Sequence, residues 1–132
     1  MSISNLQEKL LFYTLQKSSI SLQLSDVQMS QLAASKKQQA MNIAYTHNLQ
    51  ELYNDPNVGH DVDPEAYAEY LLELQSEHEF EMASLTAWES ELENRKECLE
   101  TQWNEITGYE NSWNSMLKTN IQKDFTYGGQ GK

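Results

Sequence analysis

A chain of 132 residues with 20 acidic and 9 basic side chains, formal net charge −11, has room for one domain and lacks the clustered Lys and Arg that nucleic-acid binding needs to neutralise phosphates. The same charge disfavours an anionic membrane surface, and no apolar run approaches spanning length, so neither nucleic acid nor membrane insertion is expected. Five Gly, two Pro and one Cys favour long helices over sheets and rule out an internal disulfide.

The N-terminus has no basic leader region, and the apolar run at 10–13 is too short for a signal peptide. Residues 1–40, rich in Ser and Gln, read first as a polar helix surface and second as a leader for signal-less export, as in type III secretion. The expected location is cytoplasmic, or exported without a cleavable signal peptide.

The first helix is expected over 4–53, opened by Ser4 and Gln7 as a capping box. Steps of three and four from Ile3 give a heptad seam of Ile3, Leu6, Leu10, Tyr13, Lys17, Ile20, Leu24, Val27, Gln31, Ala34, Gln38, Met41, Tyr45, Asn48 and Leu52. Away from that seam lies a second apolar row, Leu15, Leu22, Met29 and Ile43, helped by Leu11 and Leu32. A helix apolar on two faces needs cover on both.

Residues 54–63, Asn-Asp-Pro-Asn-Val-Gly-His-Asp-Val-Asp, read as a turn-rich loop. Its oxygens fail the EF-hand pattern, because the sixth and twelfth positions from Asp55 are His60 and Ala66, not Gly and Glu. A plain turn is expected.

The second helix is expected over 64–123, with Asp63 as N-cap, Pro64 in the first helical position and Glu65 at the positive helix end. Its seam reads Tyr67, Leu71, Leu74, His78, Glu81, Leu85, Trp88, Leu92, Arg95, Leu99, Gln102, Ile106, Tyr109, Trp113 and Met116. Residues 61–110 carry fifteen acidic and two basic side chains, so the outer face is acidic, and Glu89, Glu93 and Glu97 repel at i, i+4. The Glu77–Glu81 run with His78 does not make Glu-x-x-His, since position 75 is Gln, so no metal or other cofactor is expected. Cys98, His47, His60 and His78 fit no nucleophilic motif, and no enzyme activity is expected.

A short loop makes the helices antiparallel. Folding about its middle pairs positions whose numbers sum to about 117: Leu85 with Leu32, Trp88 with Met29, Leu92 near Leu24, Trp113 near Leu6. Beyond about residue 115 the second helix then overhangs the first, carrying Leu117, Ile121 and Phe125 on one face, followed by a flexible tail over 124–132 that includes Tyr127.

The expected fold is therefore all-α: two long helices in an antiparallel coiled-coil hairpin, one domain over 1–132, with a C-terminal helical overhang and a flexible tail. The layout is similar in architecture to small helical-hairpin subunits of secretion needles and filaments. The expected role is a structural, self-assembling homo-oligomer, ring or filament, through Leu15, Leu22, Met29, Ile43, Leu117, Ile121, Phe125 and Tyr127. The alternative is an acidic adaptor or chaperone that binds an amphipathic helix of a different protein.

Overall fold

A computed structural model describes residues 2–130, with side chains through residue 125. Two helices, α1 over Ile3–Tyr53 and α2 over Pro64–Gln130, pack against each other, and the described residues contain no strand. Prolines occur only at 56 and 64, in the loop and in the first position of α2, so nothing interrupts either helix.

The ends are set by local hydrogen bonds. Ser2 Oγ accepts from Asn5 N at 3.2 Å, so Ser2 is the N-cap of α1, not Ser4. Asp63 Oδ1 accepts from Ala66 N at 3.2 Å and caps α2 as expected. In the loop, Asp55 Oδ1 accepts from Asn57 N at 2.8 Å and from Val58 N at 3.1 Å, while Gly59 N donates to Asp55 O and His60 N to Tyr53 O. α2 continues to Gln130, so most of the stretch expected as a flexible tail is helical. Without a proline to stop it, each added residue gains one backbone hydrogen bond.

Chain contacts form two compact units, Met1–Val27 with Arg95–Lys132, and Gln28–Asn94. In the first unit Leu6, Ile20 and Val27 of α1 and Leu99 of α2 are buried. Tyr13 stacks on Tyr109 with centroids 6.0 Å apart. Lys17 Nζ lies 3.3 Å from Glu110 Oε1 and 4.4 Å from the Trp103 ring centroid.

The second unit, containing the loop, is a helical hairpin by itself. Ala34, Leu85 and Leu92 are buried, and Gln31 Nε2 donates to Glu93 Oε2 at 3.1 Å. Tyr45 stacks on His78 at 3.9 Å, with ring planes 4° apart. Next to the loop, Tyr53, His60 and Tyr67 form a closed aromatic triangle.

These contacts move the register. Equal folding about the loop centre sets Asn104 opposite Tyr13 and Leu72 opposite Tyr45; Tyr109 and His78 stand there instead. Leu32 and Met29, the expected partners of Leu85 and Trp88, are exposed. The cause is in the loop. Residues 54–59 fold back onto the end of α1 through Asp55 and Gly59, so the crossing begins later than the middle of the loop.

One row of the α2 seam also shifts. Leu71, His78, Leu85, Leu92, Leu99, Ile106 and Trp113 face inward as expected, but Glu81, Trp88, Arg95, Gln102, Tyr109 and Met116 are exposed. The partner row is Met82, Glu89, Lys96, Trp103, Glu110 and Leu117, one residue further along, and it keeps the same steps of three and four. Packing favours this row because it covers Trp103 with the Lys17 stem and gives Lys17 a carboxylate, while Arg95 and Gln102 stay in water. On α1 every seam position is buried or half-buried except Asn48.

Candidate contact surfaces

Residues outside the seam decide what the chain can touch. On α1, Leu15 and Leu22 of the first unit and Met29 and Ile43 of the second are all exposed, Met29 and Ile43 each by 71 %. Leu11 and Leu32 are exposed as well. Their spacing puts them off the heptad rows that α2 covers, so the second apolar face of α1 meets no partner within its own unit.

At the C-terminal end the outcome is mixed. Leu117 is half-buried, because the shifted α2 row carries it inward, and Asn120 is half-buried beside it. Met116, Ile121 and Phe125 are the apolar side chains left in water there, Phe125 by 81 %. Tyr127 lies outside the residues whose side chains are described.

The second unit carries a surface that its sequence hid. Phe80 is 74 % exposed and Leu72 66 %, although α2 reads as polar on its outside. Phe80 and Trp88 sit two turns apart on α2 and, with Met41 of α1 and Leu85 beneath, line a groove of about 590 Å³ bordered by Lys37, Glu81 and Ser84. It shares Lys37, Met41 and Glu81 with a hollow of about 270 Å³ over Tyr45, Leu74 and His78, which shares Asn48, Leu74 and Glu77 with one of about 300 Å³ near the loop. Glu73, Glu77 and Glu81, spaced by four, follow the groove on α2, with Glu51 and Asp55 at its loop end. Lys37 is the one basic side chain along it. The signal in the sequence is Phe80 itself, a large ring at a non-seam position among Glu77, Glu79 and Glu81.

The opposite side of the second unit is polar. There a hollow of about 430 Å³ is lined by Gln31, Ser35, Gln38, Thr86, Glu89, Ser90 and Glu93. Among the described residues no group of three His, Cys, Asp or Glu side chains is placed to hold a metal ion. In the loop, His60 Nδ1 lies 3.0 Å from Asp61 Oδ1 and the Asp55 carboxylate is occupied by backbone donors. Cys98 is exposed, with Gln102 Nε2 donating to its Sγ at 3.7 Å. No helix of the described residues is long and apolar enough to cross a membrane.

Comparison with known protein families found no match, and neither did comparison with curated proteins or with solved structures.

Proposed function

We propose that this chain is a non-enzymatic building block: an antiparallel coiled-coil hairpin that assembles with copies of itself. The coiled-coil reading rests on the heptad spacing of the buried residues and on contacts in which α2 numbers fall as α1 numbers rise, as in Tyr45 with His78 and Tyr53 with Tyr67. The observation that carries the assembly reading is the amount of apolar side chain left in water. Among the described residues only seven hydrophobic side chains are buried, against a long run of exposed Leu, Ile, Met and Phe on both helices. Scattered surface leucines need no explanation, but contiguous apolar rows of this extent mark contact surfaces.

Self-association covers these rows without a second gene product, and the acidic outside of α2 keeps the assemblies soluble. The test is size-exclusion chromatography with light scattering on the full chain across a concentration series, under reducing conditions so that Cys98 adds no covalent dimer. Discrete large oligomers or growing filaments support the proposal. A concentration-independent monomer refutes it and turns attention to an acidic adaptor that waits for an amphipathic helix of another protein.

A further inference from the structure

The geometry points to a specific head-to-tail contact: the Lys118–Ile121–Phe125 stripe of one copy seats in the Met41–Phe80–Trp88 groove of the next. This rests on the self-assembly reading above and names the two surfaces that it uses.

Shape and chemistry both select this pairing. The groove has an apolar floor, two projecting rings and Glu81 and Lys37 on its border, and the hollows toward the loop add the acids Glu73, Glu77, Glu51 and Asp55 with no further Lys or Arg. Its occupant should be a helix with a narrow apolar stripe and basic flanks. After residue 54 this chain is acidic everywhere except its last stretch: residues 111–132 hold Lys118, Lys123 and Lys132 against the one acid Asp124. Within that stretch Lys118, Ile121 and Phe125 fall at i, i+3 and i+7 and so share a helix face, and both apolar members are exposed. The groove border from Phe80 to Trp88 extends about 12 Å along α2, at 1.5 Å per residue, and the stripe about 11 Å, so it fits within the groove. By contrast residues 8–29, along the outer row Leu15, Leu22 and Met29 of α1, hold Lys9 and Lys17 against Glu8 and Asp26, and Lys17 is already paired with Glu110, so this row offers no net positive flank to the acidic border.

The contact joins two different surfaces, so each copy keeps one free groove and one free stripe, and growth continues until a ring closes or a filament forms. This predicts a complementation pattern. Phe125→Asp damages the stripe and Phe80→Asp the groove; both side chains are largely in water, so helicity by circular dichroism should be unchanged. Each variant alone should associate at least about tenfold more weakly than the unaltered chain, the scale expected for losing one aromatic anchor. An equimolar mixture should form a dimer that stops there, because the intact stripe of one meets the intact groove of the other. Lys118→Glu and Glu81→Lys should each weaken assembly, and combining them in one chain should restore it.

Sedimentation velocity on the full-length chains reads all of these. If the unaltered chain assembles and neither Phe80→Asp nor Phe125→Asp weakens it, or their mixture gains no dimer, the groove–stripe contact is wrong while self-assembly stands. If the unaltered chain is a monomer at every concentration, both fail together.

Discussion

Lys17 Nζ stands 3.3 Å from Glu110 Oε1 with both side chains mostly shielded, and the Trp103 ring lies 4.4 Å from the same ammonium. Thr14 Oγ1 lies 3.5 Å from the other oxygen of that carboxylate. A lysine in a heptad seam costs stability unless a partner is fixed opposite it, and here Glu110 is that partner. A double-mutant cycle with Lys17→Met and Glu110→Gln should give a coupling of about 1 kcal/mol in urea melts at fixed protein concentration. Zero coupling would mean that the pair does not help to set the alignment.

Gly59 and Gly108 have different surroundings and should respond to substitution in opposite directions. A Cβ at Gly59 would press into the backbone carbonyl oxygens of Asp55 and Tyr53, and neither can move without opening the turn. Gly108 has nothing near its missing Cβ. Gly59→Ala should destabilise by about 2 kcal/mol or more, through strain at a closed turn. Gly108→Ala should stabilise by about 0.5–1 kcal/mol, the helix-propensity difference. Thermal melts of the two variants check both signs.

Thr107 Oγ1 is buried in the first unit and bonds to no protein group, whereas Thr14, Thr101 and Thr119 each donate to the carbonyl four residues back. Thr107→Val replaces an unpaired hydroxyl by a methyl of the same shape. The expected gain is about 1 kcal/mol. A loss of that size would show that the hydroxyl has a partner in solution.

Salt should stabilise this protein. Its charge of −11 is concentrated on α2, and Glu89, Glu93 and Glu97 repel along one face. Raising ionic strength from about 0.01 to 0.15 M shortens the screening length from about 30 to 8 Å and relieves that repulsion. The melting temperature should rise over this range; a fall would mean that attractive pairs such as Lys17–Glu110 dominate.

Removing residues 121–132 should abolish growth of assemblies while leaving the helical signal per residue nearly unchanged, because Ile121 and Phe125 are exposed. Cutting earlier, at 116, should also cost stability, since Leu117 and Asn120 are half-buried in the first unit. Comparing the two truncations by circular dichroism and light scattering separates the contact from the fold.

Heptad spacing by itself determined that this chain makes two helices, where the loop lies, and which residues form the row that buries Leu6, Ile20, Val27, Ala34, Leu85, Leu92 and Leu99. It did so because a seven-residue apolar repeat has few ways to be satisfied. The second α2 row was not legible. Glu81–Trp88–Arg95–Gln102 and Met82–Glu89–Lys96–Trp103 are similar mixtures of polar and apolar residues, and the choice depends on what stands across from them. Register was lost for a related reason, since a loop of given length can fold back before it crosses, and only the Asp55 and Gly59 hydrogen bonds fix how far. Tertiary packing thus decided which residues were left outside. It drew Leu117 in and left Phe80 and Trp88 out, because one helix face cannot be covered without exposing another.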